Sequence, residues 1–427
     1  MFTSIVIISI FLLLLKKYGV TKSFILYFSY NILDKGLLLI GPLMVKDVIL
    51  MIFLFLFFVK RNKYKGKYQL LTCSLISIFS YFISTAFSSN PHWPVTILNC
   101  LRYFAVPFLL FSFCQSSKDI AYFIRTILYT SIFIVIYSFF ELKLGTSPII
   151  NFINLHNGGG NNLDETYRYG IKRIQAVFAH ATTLGYYSVT IISFLLLFLR
   201  NKYSMIKYDI NLNIYIITII GLTLTTFLSG TRSAIFPLFC IYIYSLKTYL
   251  FKVKYLFIVI FISICLYIIA SEYFSEYLTT ITKSILDTND SSVGGSTNDM
   301  RSRQFEIAIE YWSNSPIIGF GTGKTFEEVT VQNSDMYGAE SIWMPLLIDN
   351  GILGCIAYFL CYVNSFFYAK KGAFNVLIFL GILLLMNTTT SVPGLNISIV
   401  LSFTIVIKYI LSNNILYNKI QHNRSSI

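Results

Sequence analysis

Residues 298–351 read NDMRSRQFEIAIEYWSNSPIIGFGTGKTFEEVTVQNSDMYGAESIWMPLLIDNG. This stretch is polar, acidic and rich in glycine, whereas most of the chain on either side consists of apolar runs. Arg301 and Arg303 stand near its start, and the carboxylate of Glu340 directly precedes the next apolar run. A long polar stretch between apolar runs predicts a functional loop outside a membrane. We expect the rest of the chain to be organised around it.

The composition predicts an integral membrane protein. Of 427 residues, 56% are hydrophobic and only 12% are charged, whereas a soluble domain carries about a quarter charged residues. Each apolar run is long enough to cross about 30 Å of hydrocarbon as a helix. We therefore predict an all-α polytopic membrane protein, a single domain over residues 1–427, whose start is a retained span rather than a cleaved signal. About 12 or 13 transmembrane helices are expected, at residues 2–15, 23–40, 41–59, 68–87, 94–114, 120–140, 176–198, 212–229, 231–250, 254–270, 341–366, 373–390 and 393–411.

Topology, rather than nucleic acid, explains the net charge of +14. Basic residues cluster in short loops that all fall on one side if the spans alternate, and the positive-inside rule assigns that side to the cytoplasm. Residues 141–175 and 271–340 then form a first and a large outer loop, and the large loop holds most of the acidic residues. We expect contact with membrane lipids and no nucleic-acid partner.

The cysteines carry no sign of metal or disulfide chemistry. All seven lie in or beside apolar runs, and no CxxC pair occurs. We therefore expect neither disulfides nor a metal site, and no cofactor.

Part of the large loop is predicted to be helical. Between Met300 and Trp312, apolar residues recur with the spacing of one helix face, as at Phe305 and Ile309. Asn298 or Asp299 would cap the start of this helix, and Ser315-Pro316 would end it.

GFGTGKT at residues 319–325 is similar to a nucleotide-binding P-loop. However, Ile318 stands where the motif needs its first glycine, and the stretch follows a helix rather than a strand. We interpret it as a tight turn in which the backbone closely approaches a helix or a ligand.

Charged residues at the predicted outer ends of spans are candidate ligands for an anion. An arginine fork binds phosphate oxygens through two parallel hydrogen bonds and keeps its charge; the alternative is anchoring to lipid headgroups. Arg102 lies inside a predicted span, where function and snorkelling both remain open. His180 and Glu340 start predicted helices, so ordinary capping roles also remain open. The outer arginines are Arg168, Arg173, Arg232, Arg301 and Arg303.

Three blocks of the sequence together resemble the O-antigen ligase and O-antigen polymerase superfamily of bacterial envelope glycan assembly. Residues 173–185 resemble its R…F.HP…G block, and residues 229–234, SGTRSA, resemble its S-x-[ST]-R-[GS]-A block. Residues 301–354 resemble the pattern R…W……P..G.G.G……H….L…G..G of its large outer loop. The blocks occur in family order, and the predicted span count agrees.

Two departures bear on the choice within the superfamily. Ala181 stands where a proline usually follows the histidine. Glu340, followed by Ser341, stands where ligases carry a histidine. Polymerases of O antigen, capsule and exopolysaccharide often have Glu-Ser there, so the resemblance favours a polymerase.

The resemblance implies a GT-C-like, metal-independent glycosyltransferase in the bacterial inner membrane with a periplasmic active site. Its donor and acceptor would be undecaprenyl-diphosphate-linked glycans. It leaves open the sugar, the product class and a chain-length regulator as partner. An O-antigen ligase that transfers glycan to lipid A–core is the alternative, and a lipid-linked glycan flippase is a rival from another class. The implied catalytic residues are Glu340, Arg232, Arg301, Arg173 and His180, and the implied substrate-binding residues are Arg303, Arg168, Arg102 and Lys324.

Overall fold

The regular secondary structure of the described residues is helical apart from two short antiparallel hairpins. The structure, a computed structural model, describes residues 2–33, 39–40, 43–60, 71–156, 167–168, 171–178, 180–199, 211–250, 298–336, 339, 341–367, 373–387, 398–404 and 407. In the hairpins, Leu39 pairs with Met44, and Tyr167 pairs with Lys172. The elements are α1 (Phe2–Leu33), β1 (Leu39–Ile40), β2 (Leu43–Met44), α2 (Val45–Val59), α3 (Leu71–Ala86), α4 (Trp93–Cys100), α5 (Val106–Phe113), α6 (Ser117–Leu144), α7 (Pro148–His156), β3 (Tyr167–Arg168), β4 (Ile171–Lys172), α8 (Ala181–Leu199), α9 (Leu212–Leu228), α10 (Arg232–Leu250), α11 (Asn298–Asn314), α12 (Trp343–Phe367) and α13 (Ala373–Asn387).

Several of these helices can cross a membrane, which confirms an all-α polytopic membrane protein. Within the described residues, five are long and apolar enough, and three shorter apolar helices accompany them. The total of about 12 or 13 spans stays a prediction, because the span at 254–270 lies outside the described residues, as does most of the span at 393–411. The five are Ser4–Leu33, Trp93–Phe113, Ser117–Leu144, Ala181–Phe198 and Trp343–Val363; the shorter three are Ser74–Ala86, Leu212–Leu228 and Ser233–Ser245.

Several predicted span boundaries were wrong. The runs at 2–15 and 23–40 are two helical segments of α1 that meet at Gly19, whose φ of 77° and ψ of 174° are not helical, and α1 ends at Leu33 rather than at residue 40. Residues 39–40 and 43–44 are the strands β1 and β2, so the next span begins at Val45 rather than at residue 41. The span predicted to start at residue 176 starts at Ala181 instead. The preceding segment is not helical, because Ala176 has a left-handed φ of 51° that an α-helix does not contain.

Helix α8 is central to one half of the described core. It is mostly buried and packs against α9, α10 and α13. Helix α9 also crosses α6 closely, since a Cβ on Gly221 would lie 2.7 Å from Val135 Cγ1. A glycine at this crossing lets the two backbones approach, as small residues do between membrane helices.

Helix α12 is central to the other half. It packs against α3, α11 and α13. The polar helix α11 therefore docks on a membrane helix through a small core of its own, which includes Ala308, Met344 and Ile348. The predicted helix of the large loop is confirmed: it begins at Asn298 and ends at Asn314, before Ser315-Pro316.

Candidate active site

Arg173 joins the segment that precedes α8 to the turn between α9 and α10. Its side chain is buried, with 7% exposed. Nε donates to the carbonyl of Ser229 at 2.9 Å, and Nη2 donates to the Thr231 hydroxyl at 3.1 Å. The backbone N–H of Ile174 adds a bond of 3.1 Å to the carbonyl of Leu228. Segments more than fifty positions apart in the chain are thus held together at one point.

The turn itself is shaped by two glycines. Gly230 has a φ of 58°, which only glycine adopts readily, and its α-carbon lies against the Arg173 side chain. Gly185 on α8 lies under the turn: a Cβ there would come within 3.0 Å of both Ser229 Oγ and Thr231 Cβ. The hydroxyls of Tyr186 and Ser233 are bonded at 2.7 Å. The first two blocks of the family resemblance therefore form one packed unit.

Arg232 begins α10 immediately after this turn. Its backbone is therefore one residue away from Thr231, which Arg173 contacts. The side chain of Arg232 lies outside the described residues, and so does that of Arg168, whose backbone forms part of β3. The structure thus brings Arg173 close to the backbone position of Arg232.

His180 occupies the start of α8 and is exposed. Its Nδ1 lies 2.7 Å from the Thr182 hydroxyl and accepts the Thr182 N–H at 3.2 Å. The Thr183 N–H bonds to the His180 carbonyl at 3.1 Å. This is the capping role that the sequence left open, and it fixes the ring at the start of α8.

In the large loop, the glycine-rich turn is wedged into a break in α12. Gly319, Gly321 and Gly323 all have positive φ, and so does Gly351 inside α12. The N–H groups of Phe320 and Gly321 donate to the carbonyls of Ile348 and Asp349 at 2.9 Å each. In return, the N–H groups of Ile352 and Leu353 donate to the carbonyls of Pro316 and Ile317. The predicted tight turn against a helix is confirmed.

The buried carboxylate of Asp349 holds the far end of this turn. It accepts the N–H of Gly323 at 2.8 Å, and the N–H and hydroxyl of Thr325 at 2.7 Å each. Thr325 starts a π-helical turn, Thr325–Val329. Lys324, a predicted substrate ligand, is buried and forms an ion pair with Glu328. The turn therefore closes on protein groups, in agreement with the rejection of a P-loop.

Arg301 and Arg303 lie on the exposed side of α11. Arg303 faces Asp335 across 3.6 Å, in a pair that is largely exposed and so stabilises little. Their helix docks on α12, whereas Arg173 contacts the turn between α9 and α10. Glu340 lies outside the described residues. Convergence of Arg301 and Glu340 with Arg173 therefore stays a prediction.

Arg102 is paired inside the membrane region. Its Nε and Nη2 donate to the two carboxylate oxygens of Asp47 at 2.9 and 2.6 Å. Asp47 is 4% exposed, and Arg102 lies in a π-helical turn, Leu101–Ala105. Such a fork satisfies an intramembrane charge without any ligand, which favours a structural role for Arg102.

Besides Asp47, sequence reasoning missed two buried carboxylates, Glu141 and Asp349. Glu141, at the end of α6, accepts the N–H groups of Gln175 and Ala176 beside Arg173. The available signal was an acidic residue inside or at the end of an apolar run, where a charge is retained only with partners. Among the described residues, no three His, Cys, Asp or Glu side chains gather as a candidate metal site.

Comparison with known proteins supports the family resemblance. Residues 214–359 match a family model described as O-Antigen ligase. A search of curated proteins finds no match to the chain. The matched segment contains α9, α10, α11 and the start of α12, and with them the Ser229–Ala234 turn and the glycine-rich turn. The match over residues 214–359 supports the resemblance of this multi-pass membrane protein to the O-antigen ligase and polymerase superfamily.

Proposed function

We propose that this protein polymerises undecaprenyl-diphosphate-linked oligosaccharide repeat units at the periplasmic face of a bacterial inner membrane. One observation carries the proposal: Arg173 is fixed against the turn that leads into Arg232. The backbone of Arg232 thus lies close to the side chain of Arg173, although the two arginines belong to separate segments. The segment that contains Arg232 matches the O-Antigen ligase model. Such a pair suits a lipid-linked diphosphate, because guanidinium groups bind phosphate oxygens at fixed geometry.

The reaction is a displacement at the anomeric carbon of the growing glycan. A sugar hydroxyl of the next lipid-linked repeat forms a new C–O bond to that carbon, and the bond from that carbon to the carrier diphosphate breaks. The hydroxyl proton passes to a general base, and undecaprenyl diphosphate leaves with the bonding electrons. The glycosyl–diphosphate bond supplies the driving force, so the transfer needs no nucleotide.

In this reaction Arg173, Arg232 and Arg301 stabilise the negative charge that builds on the leaving diphosphate. A preorganised donor aimed at developing charge contributes about 10²–10³ in rate. Arg303 and Arg168 are further candidates for holding the substrate, and His180 orients a diphosphate oxygen or the acceptor. Lys324 and Arg102 rank lower, since each already pairs with a carboxylate, Glu328 and Asp47 respectively.

Glu340 is the proposed general base. It follows the polar loop directly and precedes α12, and a carboxylate within hydrogen-bond reach of the acceptor hydroxyl accepts its proton. General-base catalysis contributes about 10²–10⁴ in rate. Glu340→Gln should therefore lose at least about 100-fold in chain elongation; a variant that elongates at the wild-type rate removes Glu340 from this role.

Purified protein with lipid-linked repeat units in detergent tests the proposal. We expect a ladder of longer glycans, with one undecaprenyl diphosphate released for each unit added. Elongation without an ion gradient would exclude a pure flippase. Absence of any elongation, with protein that is folded and lipid-bound, would refute the polymerase assignment.

A ligase is the second candidate, because the matching family model is described as O-Antigen ligase. Adding lipid A–core to the same assay separates the two activities: a ligase caps the core once and makes no ladder. In cells, deletion of a polymerase leaves single repeats attached, whereas deletion of a ligase leaves no attached glycan.

A further inference from the structure

Glu141 is a fully buried carboxylate at the end of α6. One oxygen accepts the N–H of Ala176 at 2.7 Å, and the other accepts the N–H of Gln175 at 3.3 Å. Lys172 Nζ lies 3.9 Å from the same carboxylate and donates to the Gly145 carbonyl at 3.0 Å. A buried carboxylate is costly unless it is bonded in this way. These three partners of Glu141 all belong to the segment 172–176.

The segment that Glu141 holds is strained. Ala176 has a φ of 51°. Among the described residues, it is the one residue other than glycine that has a positive φ. An L-residue is disfavoured in this region, because its Cβ crowds the following carbonyl oxygen. Strained backbone persists only where surrounding contacts determine it, and it is frequent at functional sites. The Ala176 N–H bond to Glu141, the shorter of the two backbone bonds, is such a contact.

Arg173 stands three residues before the strained position. Arg173 donates to the Ser229 carbonyl and the Thr231 hydroxyl, and the N–H of Ile174 donates to the Leu228 carbonyl. The backbone then turns, and the N–H of Phe178 donates to the Gln175 carbonyl at 3.0 Å. Because Arg173 and Ala176 share this short segment, a change in the conformation of Ala176 is expected to move Arg173.

Building on the proposed function, we propose that Glu141 is a positioning residue for the glycosyl transfer. Its carboxylate holds the strained turn at Ala176, and that turn sets Arg173 against the turn that precedes Arg232. Glu141 itself touches no substrate, since its carboxylate is buried under the segment. Its removal acts on the reaction through Arg173.

The kinetic test uses Glu141→Gln, which keeps the shape but removes the charge and one of the two acceptor oxygens. We expect kcat for elongation to fall about ten-fold, the order set by one lost hydrogen bond to a charged group. KM for the lipid-linked repeat should stay within about two-fold, because the aimed arginine acts on charge that develops in the transition state. The matched control is Glu306→Gln, an exposed carboxylate on α11 that should change neither constant.

The substitution Ala176→Gly tests whether the activity lost in Glu141→Gln can be rescued. Glycine adopts the same φ without strain, so the turn no longer depends on the carboxylate. Ala176→Gly alone should keep kcat within about two-fold, and in the Glu141→Gln background it should restore about three-fold or more of the lost kcat. A purely structural Glu141 would instead lower the yield of folded protein while leaving kcat per folded molecule unchanged, and that result overturns the proposal. If Glu141→Gln fails to insert, Glu141→Asp, which retains the charge with a shorter reach, should show a smaller fall in kcat.

Hydrogen–deuterium exchange separates this inference from the proposed function. Glu141→Gln should speed exchange at the amides of Ile174 and Ala176 and in residues 228–232, while α11 stays unchanged. This readout needs no enzymatic reaction. If wild-type protein makes no polymer but the exchange pattern appears, the polymerase assignment fails and the positioning role stands. If residues 228–232 exchange as in wild type, the positioning role is refuted.

Discussion

Replacing Gly319 with alanine should displace the glycine-rich turn from its contact with α12. A Cβ at this position would lie 2.5 Å from both the Asn350 nitrogen and the Asp349 carbonyl carbon. Both are backbone atoms inside α12, so no side-chain rotation relieves the contact. The φ of 69° adds about 1–2 kcal/mol for an L-residue.

The displacement also breaks hydrogen bonds. The bonds from Phe320 to Ile348 and from Gly321 to Asp349 cross the contact and contribute about 1 kcal/mol each. Together with the strain, the expected loss is about 3–4 kcal/mol. Helix α11 is expected to shift with the turn, because the carbonyls of Pro316 and Ile317 accept hydrogen bonds from the same break in α12.

Two other glycines serve as matched controls. Gly145 has the same φ of 69°, but a Cβ added there would meet nothing within 4 Å, so Gly145→Ala isolates the strain. Gly381 lies within α13 with nothing within 4 Å and no positive φ, so Gly381→Ala should be neutral or stabilising. Thermal unfolding in detergent should give a fall in Tm for Gly319→Ala about twice that for Gly145→Ala. Equal falls for these two variants would refute the wedged turn.

Arg173→Lys keeps the charge but cannot reach both the Ser229 carbonyl and the Thr231 hydroxyl, so elongation should fall about ten-fold or more; an unchanged rate would show that the fork is dispensable. Arg232→Lys should likewise keep charge and shorten the glycan ladder on gels, and normal long chains would show that a bidentate grip is not needed. Asp47→Asn leaves Arg102 without its buried partner and should destabilise the protein by about 3–5 kcal/mol in chemical denaturation, whereas replacing both residues with apolar ones should cost less; equal losses would contradict the structural pairing.

The sequence predicted the helix of the large loop with near-correct ends. Local rules predicted the helix and its end, because apolar residues recur at helical spacing and Ser315-Pro316 cannot continue a helix. They did not predict which face docks: Ala308 is buried, whereas Phe305 and Ile309 are 50% and 40% exposed. The same rules failed at Ala176. Alanine favours helix, whereas Ala176 has a φ of 51° and donates its N–H to the Glu141 carboxylate, which lies thirty-five positions earlier. No local pattern carries that contact.

The sequence predicted which residues belong to the candidate site, but not which of them are in contact. The family-like blocks at 173–185 and 229–234 were named separately, and the structure packs them together through Arg173, Gly185 and Thr231. The sequence left two roles open for Arg102, a functional one and snorkelling. Its paired hydrogen bonds to Asp47 were not predicted, because the two residues are fifty-five positions apart.

The amino-acid sequence by itself determined that this protein is embedded in a membrane, and it determined the order of its helices. Hydropathy and helix-ending residues carry this information because they act over one or two helical turns. The sequence also determined which side chains are chemically able to bind a diphosphate. Tertiary structure alone decided which of them meet. Buried carboxylates and close glycine contacts select one packing among many, and in this chain their partners lie tens to hundreds of residues away, as between Glu141 and Ala176 or between Gly321 and Ser88.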